Sequence, residues 1–543
     1  MHCPTAKEAE GVQAASNERQ GTVLEMLREL LSEGRDQEVL ALVRKLVERN
    51  SELEQRLAEL LSRRRKNEGV PTGQLLLFLN ELAQESTPDL NEANEKLRAA
   101  SEIDAPKDTE PRLAPRPRQP SLRRPIPDGL PRVDNEIRVP ESDRACPKCQ
   151  GERTCIGYDV TEVVELIPAK VVVRVDRREK LACARCEGEL VRAPQGDKVV
   201  SGGRLGTALV ADLLVSKYRD GLPLHRQKER LERLGLSLPV STLADQVTWS
   251  TDLLRPLWRA ALAQVLEAEV MHLDGTGLTV LDRASPGGKK LGSLWGYVGD
   301  QDTAVVLYTS TGKKDGQRPG ELGPQDVLKL RTGYVVADAS SLFDASFQRE
   351  GLIECGCNMH SRRYFRKALD GGDKRAALPL AAFKKLYEIE AEIRDRDAEG
   401  KKKERQERSK PVYDELVSWC EAHQPYEPPS SAMGKAIQYL LNHQEALRRF
   451  LEDGVIPIDN GIVERLHIRT ALTRKNYLFA GSDAGAERAA IAYTILGSCQ
   501  LAGVPPVEYL TDVLPRLTRT IRIREIPDLL PARWKERHNT PNA

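Results

Sequence analysis

A chain of 543 residues, 30% charged and 40% hydrophobic, is too long for one core, and two to four domains are expected. Lysine plus arginine (82) balance aspartate plus glutamate (81), so the net charge of +1 argues neither for nor against a nucleic-acid partner. No apolar run is long enough to span a bilayer and no hydrophobic signal region follows Met1, which predicts a cytoplasmic protein with no membrane partner.

Residues 1–20 are polar, lack periodicity and are expected to be a disordered tail. Over 21–66 the pattern is helical. Val39, Val43, Leu46, Asn50, Leu53, Leu57 and Leu60 recur in steps of four and three. That is an a/d seam with Asn50 at an a position, a device that fixes register and strand number. The seam predicts a coiled coil that makes a homodimer or higher oligomer; the plainer alternative is a helix packed inside the protein. Residues 67–143 read as a linker region, with a short apolar helix at Leu75–Leu82 and a Pro/Arg-rich extended stretch from 104.

Four of the ten cysteines form two CxxC pairs, Cys146/Cys149 and Cys183/Cys186, within a module at 144–194. Two knuckles joined by the alternating runs DVTEVVELIP and AKVVVRVDRREKLA suit a closed tetrahedral Zn²⁺ site that is structural. The gap between the pairs is long, and a hairpin between them accounts for it. A redox reading would want a single pair at a helix start. Cys155 is a spare thiol nearby.

Residues 205–265 look all-helical. The piece HRQKERLERLGLSLPVSTLADQV has helix–turn–helix grammar: Gly235 stops one helix, Pro239 and Ser241 start the next, and Ser241 is the expected N-cap. Arg226, Gln227 and Ser241 are the candidate DNA contacts there. An ordinary helical hairpin is the plainer reading.

From 266 to 357 four strands are legible: VMHLDGTGLTVL, GSLWGYVGD, TAVVLYTST and GYVVADAS, with a helix before the last. Three antiparallel strands, a helix and a further strand predict a multidomain α/β chain whose core opens like RNase H. Asp274 falls on the first strand and Asp338 ends the fourth, so their carboxylates should converge. A charged helical insertion spans 358–450. The core resumes over 451–515 with a helix that Asp459 can cap and that carries Glu464. Residues 516–543 read as a C-terminal tail.

Two aspartates and a glutamate so placed suit two Mg²⁺ (or Mn²⁺) ions, with Asp274 bridging both and Asp338 and Glu464 holding one each. Such a site predicts metal-dependent cutting and joining of DNA without a protein nucleophile. Glu487 is a rival third ligand, ranked below Glu464. Cys357 and His360 form a CxxH step that could orient the insertion or a catalytic carboxylate; as a zinc half-site they would need further partners. Arg362 and Arg363 on the following helix, and Arg465, Arg474 and Lys475 beside Glu464, are candidate contacts to DNA phosphates.

The pieces CPKC…CARC, LVSKYRDGLPLHRQ, VSTLADQV, HLDGTGLTVLD, LWGYVGD, VADASSLFD, CNMHSRRYF, PIDNGIVER and TRKNYLFAGSDAGAERAA run in order over roughly 145–515. In these the chain resembles the insertion-sequence-66 transposase family of bacteria. The resemblance implies a DDE transposase with a coiled coil, a zinc module, a helix–turn–helix and a split RNase H-like core, its triad on Asp274, Asp338 and Glu464. It also implies double-stranded DNA partners (element ends and target) and a nucleoid-associated location, and leaves open whether helper proteins encoded beside it are required. The family usually carries an acidic residue where this chain has Gly275, a second Asn where it has Gly461, and Ala where it has Val463. A catalytically inactive, domesticated DNA-binding repressor is the alternative class, separated by metal-dependent strand cleavage, and a zinc-ribbon nuclease outside transposition a third, separated by strand joining.

Overall fold

The computed structural model describes residues 88–101, 170–177, 180–181, 191–192, 199, 203–311 and 320–539. The seam at 21–66 and the cysteines Cys146, Cys149, Cys183 and Cys186 lie outside them. A two-residue antiparallel pair, Lys180–Leu181 with Val191–Arg192, brackets the second CxxC. Residues 170–177, expected within a hairpin strand, form none, and Val172, Val173 and Val175 are exposed.

Helix α1 (Pro88–Ala100) falls inside the span read as linker, yet it is packed. Leu97 is fully buried in the core of the helical insertion, and Trp419 donates its indole N–H to Asn94 Oδ1 at 2.8 Å. The helical block follows with α2 (Thr207–Tyr218), α3 (Leu224–Arg233), α4 (Val240–Leu253) and α5 (Arg255–Glu267). The sequence of α2 is apolar nearly all round, and Val210, Ala211, Leu213, Leu214 and Val215 are all buried, as such a helix must be. By contrast α3 buries only Gln227 and Leu231. Helix α5 belongs to the sheet layer: Trp258 donates to Val306 O at 3.0 Å. The boundary expected at 265/266 is therefore not a packing boundary.

One five-stranded mixed sheet forms the centre of the α/β core. Its strands are β1 (Val270–Leu281), β2 (Lys289–Gly299), β3 (Thr303–Thr309), β4 (Gly333–Ala337) and β5 (Leu352–Gly356), in the order β3-β2-β1-β4-β5. The first three are antiparallel; β4 and β5 run parallel to β1. Helix α6 (Pro324–Leu330) leads into β4. Every residue of β3 is buried although it is an edge strand. A later helix covers that edge, and its Ser498 and Thr494 hydroxyls accept the Ala304 and Val306 N–H groups at 3.0 and 2.8 Å. Those donors would otherwise template foreign strands.

The expected insertion is helical, with α7 (Asn358–Asp370), α8 (Ala377–Glu392), α9 (Lys410–His423) and α10 (Ala432–Asn442) around a core that includes Phe365, Phe383, Tyr413, Trp419 and Phe450. Its charged middle supplies Arg405, which is buried and satisfied: Glu390 takes Nε and Nη2 at 2.7 Å, and the carbonyls of Phe450, Asp453 and Ile456 take Nη1. The chain then re-enters the core through α11 (Gly461–Tyr477), α12 (Asp483–Ala502, the helix over β3) and α13 (Pro506–Leu517). The expected tail is instead ordered through α14 (Pro531–Asn539): Tyr509 Oη donates to Leu529 O, Trp534 Nε1 to Asp512 and Lys535 Nζ to Ala502 O.

Candidate active site

Parallel pairing sets the first two carboxylates side by side. The β1–β4 register runs to His272↔Val336; two residues further come Asp274 on β1 and Asp338 just past the end of β4. Asp274 faces Gly296 across the antiparallel β2. There the absence of a side chain is required: a Cβ on Gly296 would lie 2.7 Å from His467 Nε2 and 3.1 Å from Val463 Cγ2. Helix α11 therefore descends onto β2 at that point and brings Glu464, one turn in, to the acidic pair. A Cβ on Gly275 would likewise lie 2.5 Å from the Trp295 ring, which fills the space that an acidic residue would need.

Three side chains hold α11 in place. Asn460 is fully buried; it donates to Leu273 O at 2.7 Å and bonds His272 Nδ1 at 2.9 Å, tying the start of α11 to β1. The Asn460 N–H donates to Cys357 Sγ at 3.2 Å. His467 donates from Nε2 to Asp274 O at 3.1 Å, the only role an imidazole N can take toward a carbonyl. Burial pushes both histidines down to about 4, so they are neutral at pH 7. At the other end Asn358 amide N–H groups reach Leu447 O and Ile458 O at 2.8 and 3.1 Å, closing the neck of the insertion. Asp459 accepts from Gly461 N at 2.8 Å, while Asn460 occupies the cap position expected for it.

Burial, then the charges of Asp338 and Glu464, push Asp274 up to about 7, against the Gly275 N–H and Arg363. Asp338 also rises, first from burial and further from Glu464, against His360. The compensating cation is Arg363, whose Nη1 and Nη2 fork onto Glu464 Oε1 and Oε2 at 3.1 and 2.5 Å. Hard oxygen donors whose charges repel one another in a half-buried cleft are what divalent cations stabilise, so the donor set fits Mg²⁺ or Mn²⁺. Among the described residues it is Cys357, His360 and Glu464 that place one ligand atom each within 4.8 Å of one another; the three carboxylates stand further apart than that. Burial pushes the Cys357 thiol up to about 12, and it accepts the Asn460 N–H, which makes it a clamp on the helix start.

The remaining candidates divide. Arg226, Ser241, Arg465 and Lys475 are exposed. Gln227 is not a surface residue: it is fully buried and donates to Leu213 O and Leu222 O. Ser241 does not cap α4, because Pro239 takes the cap position and the helix begins at Val240. Arg362 lies over the Tyr387 ring at 6.0 Å, and Arg474 donates to Gly277 O. Glu487 faces Arg255 at 3.8 Å on α12, the helix over β3, and is not among the groups acting on Asp274. Sequence reasoning missed Asn460, His467, Asn358 and Gly296. Asn460 stood in the quoted PIDNGIVER block, but its role requires knowing what α11 packs against.

The fold and site thus define a mixed α/β protein in which Asp274 on a central strand, Asp338 just past its parallel neighbour and Glu464 on a helix lie close enough to act on one another's charge. A family model described as "Transposase IS66 family" matches residues 202–488, and one described as "zinc-finger binding domain of transposase IS66" matches 143–187, which holds both CxxC pairs. The chain belongs to the IS66 transposase family. Three proteins of Sinorhizobium fredii (strain NBRC 101917 / NGR234) are similar to it, each described as uncharacterized. They are y4hP (32% identical, covering 76% of this chain and 77% of the relative), y4jD (32%, 76% and 81%) and y4qI (31%, 80% and 80%). Among the described residues no helix is long and apolar enough to cross a membrane.

Proposed function

We propose that this protein is a DNA transposase that binds the terminal inverted repeats of an insertion sequence and performs metal-dependent strand cleavage and strand transfer on an RNase H-like core. The observation that carries this reading is the gathering of Asp274, Asp338 and Glu464 from a central strand, its parallel neighbour and a helix that returns after a long insertion. The strand order, with the Asp274 strand in the middle, supports the RNase H-like assignment.

Asp274, Asp338 and Glu464 are the residues that would hold Mg²⁺ or Mn²⁺. Bound there, the ions would activate a water or a 3′-hydroxyl and stabilise the leaving oxygen. The chain's own residues set the stage. His467 fixes the Asp274 backbone, Asn460 fixes the start of the Glu464 helix, and Trp295 covers the strand beside Asp274. Arg226 and Ser241 on the helical block, Arg362 on α7, and Arg465 and Lys475 on the Glu464 helix supply exposed or half-buried groups for DNA. The zinc module at 143–187 would add a rigid DNA-reading element, held by Cys146, Cys149, Cys183 and Cys186. The seam at 21–66 would dimerise the protein so that two element ends meet.

The test is cleavage and strand transfer on the DNA bordering the gene, with Mg²⁺, comparing wild type with Asp338→Ala. Wild type should nick at defined ends and join them while the variant binds without cutting. Binding by both and cutting by neither, even with neighbouring gene products added, would sink the enzymatic reading in favour of a domesticated repressor.

A further inference from the structure

The fork between Arg363 and Glu464 has a function that the three carboxylates do not explain. Both Glu464 oxygens accept from one guanidinium, at 3.1 and 2.5 Å. Such bidentate pairing is what arginine does and lysine cannot. The partners are unequally placed: the Arg363 side chain is 34% exposed and Glu464 only 16%, so the arginine is the partner more open to solvent. Its neighbours also include Met359 Sδ at 3.8 Å and His360 Nε2 at 3.4 Å.

The other cations of α7 are engaged elsewhere. Arg366 is buried against Asp370, Arg362 lies over Tyr387 and Lys367 over Tyr364. Arg363 is the arginine of α7 seen forked onto Glu464, where it also lowers Asp274; His360 lies beside the same carboxylate, Nδ1 3.7 Å from Oε1.

We infer that Arg363 is a surrogate cation: it holds Glu464 while divalent ions are absent, and it passes to a DNA phosphate when an ion takes the carboxylate. The inference rests on the metal-dependent reading above. Two divalent ions bring four positive charges to three carboxylates, so the electrostatic demand for a guanidinium at Glu464 ends when they bind. The released group is already at the solvent edge, and a phosphate offers the same pair of oxygens in fork geometry. One residue then couples two ligands. By linkage the coupling is reciprocal: metal tightens DNA binding by the factor by which DNA tightens metal binding. Arg363 acts here as a positioning residue whose partner changes.

The experiment uses full-length, zinc-replete protein as wild type, Arg363→Gln and Arg363→Lys. Mn²⁺ binding is read by electron paramagnetic resonance with and without an element-end duplex, and duplex binding is read with and without Ca²⁺. Without DNA, Arg363→Gln should bind Mn²⁺ about tenfold tighter than wild type, because the guanidinium no longer competes for Glu464. The mutual tightening of metal and DNA, about fivefold or more in wild type, should vanish in that variant. Arg363→Lys keeps the charge without the fork and should fall between, which covers the case of a Gln variant that does not fold. A Gln or Lys variant that binds Mn²⁺ no tighter, or that keeps the full coupling, overturns the inference. Glu464→Gln separates the two readings. If it leaves Mn²⁺ binding intact, the active-site reading itself fails. If it abolishes binding while the Arg363 variants match wild type, only the surrogate-cation inference fails.

Discussion

Asp274→Asn should stabilise the metal-free protein. The carboxyl moves from its ordinary 3.8 to about 7, first because it is buried and then because Asp338 and Glu464 lie near it. A raised acid is favourable to the fold where it is protonated and costs stability where it must ionise. The wild-type penalty is therefore absent below about pH 4, grows through the interval up to about 7 and is constant above it. Three pH units correspond to about 4 kcal/mol at most. The group is only partly buried, and solvent screening reduces this to about 2 kcal/mol. Histidines 272 and 467, both lowered to about 4, change stability in the opposite direction as pH falls below 6.5. Comparing the two proteins at each pH cancels that contribution. Urea midpoints at pH 5 and pH 8, in protein freed of Mg²⁺ and Mn²⁺ but retaining zinc, should show a small gain at pH 5 and the full gain at pH 8. Saturating Mn²⁺ should then stabilise wild type by about 3 kcal/mol at a hundredfold excess over its dissociation constant, and the variant by much less. If Asp274→Asn is no more stable than wild type at pH 8, or its gain does not depend on pH, the electrostatic account of the cleft is wrong.

Gly296→Ala drives a methyl against His467 and Val463. It should cost about 1–3 kcal/mol by overpacking and reduce cleavage through displacement of Glu464, read by denaturant unfolding and end nicking on one preparation; unchanged stability and activity would show that α11 does not bear on β2. Asn460→Ala strands Leu273 O and His272 Nδ1 in a buried site and should cost about 2–4 kcal/mol. Leu97→Ala should cost about 2–4 kcal/mol and open the region of α1 to limited proteolysis, because Leu97 is fully buried in the insertion core; an unaltered digestion pattern would refute the docking of α1.

The strands were legible because β-branched runs such as TAVVLYT bury on both faces, and the two aspartates were legible because each ends or interrupts such a run. Other features turned on partners that lie far away in sequence. Gln227 reads as a surface letter in a polar helix, yet carbonyls of Leu213 and Leu222 satisfy its amide inside the fold. In α1 the pattern PDLNEANEKLRAA is mostly polar, and its docking depends on Leu97 and Asn94 meeting a tryptophan 325 residues away. The apolar stripe of α5 is compatible with a helical hairpin or with a sheet layer, and only the bond from Trp258 to Val306 decides between them. For Ser241 the local signal was real, but Pro239 already supplies an extended residue ahead of Val240 and moves the cap two positions earlier.

A long insertion between Asp338 and Glu464 would seem to endanger the site, since free loop closure leaves the returning chain poorly placed. Closure entropy grows only slowly with length, so what matters is how the ends are joined. Here the ends are joined twice. Asn358 binds Ile458 across 100 residues through both its backbone and its side-chain N–H groups. Two residues on, Asn460 binds β1 with its side chain and Cys357 with its backbone. Each bond contributes only about 1 kcal/mol net, but all of them meet the chain within six residues of Glu464 and all join buried residues. The position of the third carboxylate is thus set by the neck and by β1, so the helices beyond the neck can vary in length and charge without moving Glu464 away from the two aspartates.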